Sequence, residues 1–426
     1  MITTPTKNRN DLRTFLALPG LLRLLLITQL AFNIGFYLVV PFLASYLGDE
    51  LKLAGWMIGV ILGLRTFSQQ GMFFFGGALA DRFGIRLSIV VGCLIRITAF
   101  LVLGLTQELP GVIVGVTLIG LAAALFSPAT ESAIVAWGHE VEQGGGPTLQ
   151  EIVGLESMCS KLGSVIGPLL GGVLLVIPFR ATCLVAAGIF TIILAAQLRW
   201  LPRGTRIGEP TAILESLSTV LTNRTFLVFA AIHSTYLLTY NQLYLAVPVE
   251  LARIGAPSTA ITWLFALAAL LTITLQLPVT RRALRWGTAA ALRRGYLLLS
   301  GCFLVVAVAA PYSVNGPTAY LPVITLVVLL HLGQMLVLPA ARDTVAELAQ
   351  HRCLGSYLGF ISSLGGLAVL IGSTAAGQLL DLARTPNPSA PVPWLFLAAL
   401  PACSALAITI FCRRRSTPTP NTAARP

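Results

Sequence analysis

The chain has 426 residues, of which 56% are hydrophobic and only 10% charged, and its formal net charge is +12. A soluble domain carries roughly 25% charged residues, so there is too little polar surface here to clothe a water-soluble globule. The positive balance does not point to nucleic acid, because the arginines sit almost entirely in the short gaps between apolar runs, the distribution that orients a membrane protein.

The apolar runs are about 20 residues or longer, enough to cross a ~30 Å hydrocarbon core as a helix. They are continuous and not alternating, which disfavours a spanning β-barrel. The first follows Lys7, Arg9 and Arg13, a basic start like that of a signal peptide. It runs from about Leu21 to Leu47, too long for a cleaved hydrophobic segment, and no small-residue cleavage site follows, so it reads as the first spanning helix. Eleven more spans start near residues 54, 87, 110, 151, 181, 225, 257, 291, 318, 355 and 393, and the fold class expected is an all-α membrane protein of twelve transmembrane helices. Seven cysteines (Cys93, Cys159, Cys183, Cys302, Cys353, Cys403, Cys412) lie singly without CxxC spacing, neither a disulfide framework nor a metal site.

If the N-terminus is cytoplasmic, the inside gaps hold Arg82 and Arg86, then Arg199, Arg203 and Arg206, then Arg281, Arg282, Arg285, Arg293 and Arg294, and finally Arg413, Arg414 and Arg415. The outside gaps keep little more than Lys52, Arg180, Arg253 and Arg384, which places both termini inside. A polar gap from about Pro202 to Asn223 divides six spans from six. The domains expected are residues 1–201 and 224–412 as two six-helix bundles, 202–223 as a cytoplasmic central loop and 413–426 as a basic tail. Three matches in order, each a little over two hundred positions apart, suggest a duplication: Arg82-Phe83-Gly84 with Arg285-Trp286-Gly287, Pro128-Ala129 with Pro339-Ala340, and Ile166-Gly167 with Ile371-Gly372.

Polar side chains inside the spans are the functional candidates, since a charge at the bilayer centre costs about 3 kcal/mol even by insertion scales and must face a partner or a watery cavity. Arg65 shares a helical face with Gln69, with Gln70 beside it; these, with Arg96, are expected to line a substrate cavity, or else Arg65 pairs with a buried acid. From the second half Tyr236, Tyr240, Asn241 and Gln242 offer hydrogen bonds and ring faces to an amphipathic ligand, unless they form an interfacial belt. Glu131 and Glu156, with Lys161 nearby, are the candidate proton-coupling acids, a static salt bridge being the alternative. His233, His331 and Gln334 read as further polar insertions, and Arg342 with Asp343, near Glu347, as a gate or a snorkelling pair.

The segment Gly77-Ala78-Leu79-Ala80-Asp81-Arg82-Phe83-Gly84-Ile85-Arg86 resembles the signature loop of the major facilitator superfamily, departing from it at Ile85 where a basic residue is usual. The segment Gly163-Ser164-Val165-Ile166-Gly167-Pro168-Leu169-Leu170-Gly171-Gly172 resembles that family's antiporter motif, and Leu62 to Gly71, Phe75 to Gly84, Ala341-Arg342-Asp343 and Gly355 to Phe360 are similar to its MdtH-like multidrug exporters. The resemblance implies two six-helix bundles that alternate access. Gly77, Asp81, Arg82, Gly84 and Arg86 would then act as a conformational switch, and Gly163, Gly167, Pro168, Gly171 and Gly172 as the antiporter element. It further implies a monomer in the inner membrane that exports small amphipathic compounds on a proton gradient, with no other cofactor and no enzymatic activity. The arginine usual in the fourth helix of proton-coupled relatives is not evident, and Glu131 stands in that region. An uptake symporter, or a carrier of lipid or anionic metabolites, remains the alternative. No phosphate-binding loop is found, so no ATP-driven pump is expected.

Overall fold

Within hydrocarbon no water can satisfy backbone N–H and C=O groups, so a spanning segment closes its hydrogen bonds on itself as a helix. The computed structural model describes residues 11–73, 75, 84–174, 177–202, 213–312, 316–350 and 354–416. Among these residues there are no strands. Fourteen α-helices follow in order: α1 Asp11–Ala17, α2 Gly20–Ser45, α3 Gly55–Gln70, α4 Ile85–Leu105, α5 Leu109–Gln143, α6 Leu149–Val173, α7 Phe179–Trp200, α8 Ile213–Thr222, α9 Arg224–Arg253, α10 Thr259–Trp286, α11 Thr288–Ala309, α12 Leu321–Leu348, α13 Leu354–Leu380 and α14 Val392–Ser416. Without the short α1 and α8, twelve long helices remain among the described residues, beginning close to where the apolar runs placed them.

Nine stretches are long and apolar enough to cross a membrane among the described residues. The long helices outside that set are α3, α6 and α9, which carry Arg65, then Glu156 and Lys161, then His233, Asn241 and Gln242. Candidate residues also lie on helices inside the set: Arg96 on α4, Glu131 on α5 and Arg342 with Asp343 on α12.

Local chemistry sets the helix ends. Thr148 and Glu151 form a capping box at the start of α6, with Glu151 N donating to Thr148 Oγ1 at 3.3 Å and Thr148 N to Glu151 Oε2 at 2.9 Å. Asn223 caps α9 by accepting from Phe226 N at 3.0 Å, while its Nδ2 donates to Leu348 O at 3.0 Å and so ties α9 to the end of α12. Gly84 (φ 90, ψ 154) precedes α4 and Gly287 (φ 77, ψ 158) precedes α11, both in a left-handed conformation that a side chain would strain. These two glycines belong to one of the repeated triplets noted above, so that match extends to backbone conformation.

The chain forms two compact units, Met1–Val39 with Phe75–Pro210, and Val40–Phe74 with Thr211–Pro426. In the first, α4 packs on α5 and α7 around buried Phe32, Phe100, Phe126 and Phe190. In the second, α3 packs along α13, α11 along α12 and α14, and α9 along α13. Large apolar side chains such as Ile192 and Val308 face outward at 72% and 73% exposure, as a bilayer-facing surface requires. Cys93, Cys159, Cys183 and Cys302 are buried free thiols.

Candidate functional site

In the second unit the polar insertion on α3 joins those on α9 and α13. Arg65 is 6% exposed, donates from Nη2 to Thr66 Oγ1 at 3.0 Å and lies 5.7 Å from the ring centroid of Tyr244. Thr66 Oγ1 donates to Asn241 Oδ1 at 3.0 Å, and Asn241 Nδ2 donates to Ser373 Oγ at 3.4 Å. Three helices therefore meet through a buried relay of guanidinium, hydroxyl, amide and hydroxyl. Arg65 and Asn241 were expected from sequence; Thr66 and Ser373 were not. Serine and threonine are commonplace in membrane helices, and only the register between distant segments reveals these two.

The other expected cavity residues divide. Gln242 is fully buried and donates to Leu238 O at 3.1 Å, one turn back on its own helix. Gln69 and Gln70 are half-buried, and the Gln70 carbonyl accepts from Ser363 Oγ at 3.4 Å. Tyr236 and Tyr240 extend a column of near-parallel rings along α9, running Phe229, His233, Tyr236 and Tyr240 with neighbouring centroids 5.7, 5.2 and 6.5 Å apart. His233 Nδ1 shares a hydrogen bond of 2.9 Å with Tyr296 OH, and His331 Nδ1 donates to Val327 O at 2.8 Å. Both histidines are held by neighbours, and Gln334 lies beside Tyr236.

In the first unit Arg96 is fully buried, its guanidinium carbon 4.5 Å from the ring centroid of Phe32, 5.6 Å from Phe190 and 6.0 Å from Phe100. Each face-on approach of this kind is worth about 0.5–2 kcal/mol, more when desolvated. Glu131 on α5 is exposed, Glu156 on α6 is half-buried, and the two stand within electrostatic reach of each other. Glu156 and Lys161, five apart on one helix, form no ion pair among the described residues. Gly163 and Gly167 of α6 lie directly against α2: a Cβ on Gly163 would stand 2.8 Å from Leu30 O, and one on Gly167 2.9 Å from Ile34 O. Pro168 and Gly171 are buried on the same helix and Gly172 is half-buried.

Of the signature loop, Gly77, Asp81 and Arg82 lie outside the described residues. Gly84 precedes α4 as above, and Arg86 donates to Leu198 O at 2.8 Å, tying α4 to the end of α7. Arg342 and Asp343 are both exposed near the end of α12 and do not pair with each other.

Two polar features were not foreseen as structural devices. Glu250 and Arg253 at the end of α9 form a bidentate pair, 2.6 and 2.9 Å, and Arg253 also donates to Ala310 O and Tyr312 O beyond α11. Asp381, just past α13, accepts from Gly55 N at 3.0 Å and Arg384 Nε at 2.8 Å, so it caps α3 from another helix. Their i,i+3 charge spacings are visible in sequence; the capping of α3 is not.

A multi-pass α-helical protein with polar side chains clustered inside its long helices is the class that these features define. The family model described as Major Facilitator Superfamily matches residues 25–373 and again 228–426. An uncharacterized MFS-type transporter of Mycobacterium tuberculosis is 38% identical over 373 residues, covering 86% of this chain and 87% of that one. The multidrug resistance protein MdtH of Escherichia coli is 30% identical over 386 residues, covering 90% and 92%. The fold is shared with a POT family transporter solved in complex with 5-aminolevulinic acid (TM-score 0.73, 13% identity, 95% of this chain and 100% of that one). It is shared equally with the nucleoside transporter NupG (TM-score 0.76, 13% identity, 93% and 100%). The chain belongs to the major facilitator superfamily: it is a transporter with twelve transmembrane helices in two six-helix bundles.

Proposed function

We propose that this transporter exports small amphipathic compounds by alternating access, driven by protons flowing inward across a cytoplasmic membrane, with both termini in the cytoplasm. The observation that carries the reading is the buried relay from Arg65 through Thr66 and Asn241 to Ser373, flanked by Tyr244 and continued along α9 by the rings of Tyr236 and Tyr240. Polar and aromatic groups held together inside apolar helices suit a ligand that is part ring and part hydrogen-bonding group. The similarity to MdtH, a multidrug resistance protein by name, supports the same substrate class. Glu131 and Glu156, near each other on α5 and α6, are the groups assigned to carry the proton.

One proton moving down ~100 mV and one pH unit releases about 2.3 plus 1.4 kcal/mol, enough to hold a substrate gradient of several hundredfold. A single substrate molecule and a single proton per cycle therefore suffice, with no nucleotide.

The gate in this reading is the seam between α3 and α13. A Cβ on Gly55 or Gly59 of α3 would collide with the backbone of Gly377 or Ser373, and Asp381 locks the outer end of that seam by capping α3. Alternating access requires it to part once per cycle.

The test uses the purified protein as a monomer in liposomes under an imposed pH gradient, following a fluorescent cationic drug and lumenal pH together. Opposed drug and proton fluxes that stop when the gradient is collapsed are expected. Drug flux in the same direction as the protons, or none, would replace export with the uptake or lipid-carrier reading.

A further inference from the structure

The turn between α10 and α11 gathers charge that no ion pair neutralises among the described residues. Arg281, Arg282 and Arg285 stand in the last two turns of α10, and Arg293 and Arg294 in the second turn of α11; all five are exposed. A single residue, Gly287 at φ 77, folds one helix back from the other, so both groups lie at the same end of the hairpin. Trp286 sits between them. The Arg294 guanidinium carbon is 4.1 Å from its ring centroid and that of Arg282 is 5.8 Å, so one indole holds a guanidinium from each helix.

No aspartate or glutamate occurs between Glu250 and Asp343 in the sequence. Among the described residues none of the five arginines enters an ion pair, and Asp343 of the adjoining α12 does not reach them. Arg253 and Arg384, which do pair, each have a carboxylate three positions back. Arg281, Arg282 and Arg285 gain from the carbonyl end of α10, but Arg293 and Arg294 lie towards the amide end of α11, whose first turn has no acid. Like charges held this close need an external counter-anion.

The surroundings decide what kind. Leu277, Leu284 and Leu297 flank the cluster on the same two helices at 59%, 72% and 54% exposure. Water-soluble anions offer nothing to these side chains, whereas an anionic lipid brings phosphate to the arginines and acyl chains to the leucines. The planar guanidinium also matches phosphate oxygens in a bidentate manner that an ammonium does not.

We propose that the α10–α11 hairpin is a binding site for the phosphate headgroup of an anionic phospholipid in the adjoining leaflet, with Arg282 and Arg294 pre-oriented on Trp286 and Arg285 beside them. The site is independent of the transported compound.

The test incubates the full-length protein, purified in detergent, with phosphatidylglycerol, with phosphatidylcholine or with inorganic phosphate. Retained lipid is counted by native mass spectrometry alongside thermal melting. Phosphatidylglycerol is expected to stay bound and raise the melting temperature, phosphatidylcholine to wash off and phosphate to do neither. The triple change Arg282→Gln, Arg285→Gln and Arg294→Gln should cut phosphatidylglycerol retention at least fivefold, while Arg199→Gln, an exposed arginine at the end of α7, leaves it unchanged. If the triple variant fails to fold, Arg294→Gln alone should lower retention at least twofold. Equal retention of both lipids, unchanged retention in these variants, an equal loss in Arg199→Gln, or stabilisation by phosphate alone would each overturn the site.

Discussion

Arg65, Arg96 and Arg253 meet the cost of a buried charge in three different ways. Arg253 has a bidentate carboxylate, Glu250; Arg96 is ringed by Phe32, Phe100 and Phe190; Arg65 donates to a threonine beneath a tyrosine ring. The first is the mark of a staple, since a bidentate pair at 2.6 and 2.9 Å leaves little for a ligand to gain. The second is an apolar box in which a guanidinium stabilises packing. The third leads onward through hydrogen bonds to two further helices. Hydrogen bonds between membrane helices average only about 0.6 kcal/mol, so breaking the two made by the Asn241 amide is a small structural loss. We predict that Asn241→Leu destabilises the protein by less than about 1.5 kcal/mol while reducing drug transport at least tenfold. Parallel thermal melts and liposome flux would check this; transport near the wild-type rate would remove Asn241 from the substrate path.

Helix positions were legible because spanning length and hydropathy leave the chain few choices. The starts expected near 54 and 257 fall at Gly55 and Thr259, within two residues. Helix partners were not legible. That Gly59 of α3 packs on Ser373 of α13 depends on which face each apolar helix turns inward, and small residues recur too often to say. The antiporter glycines show the same limit: Gly163 and Gly167 signal close approach, but their neighbour, α2, is known only from the fold. In the proposed cycle the α3–α13 seam is the element whose closeness transport needs to undo. We predict that Gly59→Leu holds its outer end open, since the new side chain has no room against the Ser373 backbone. A cysteine placed at Ile58, which is 5% exposed, should then react with a membrane-impermeant maleimide several times faster than in the Gly59 parent, and transport should fall. Equal labelling rates would mean that the seam does not control access.

At the scale of the whole molecule the proposed export needs something that ties substrate movement to protons, and sequence could name acids but not their company. Glu131 and Glu156 are each candidates from sequence, and Lys161, five positions from Glu156, is near but not well aligned to pair with it. In the fold the two acids lie near each other on neighbouring helices, and among the described residues no ion pair joins Glu156 to Lys161. Two carboxylates within reach of each other share protons more readily than either does alone, because the second negative charge opposes the first. Coupling should therefore be a property of the pair. Replacing one acid by glutamine removes a titrating site yet leaves the substrate relay on α3, α9 and α13 untouched. We predict that Glu156→Gln abolishes transport driven by a pH gradient while exchange of labelled for unlabelled drug at equal pH continues at more than half the wild-type rate. Glu131→Gln should show the same split more mildly, since this side chain is the more exposed of the two. The deciding measurement is the ratio of gradient-driven flux to exchange in one liposome preparation. A ratio unchanged in both variants would place the proton elsewhere, whereas loss of both activities together would mean that the acids hold helices in place and do not carry protons.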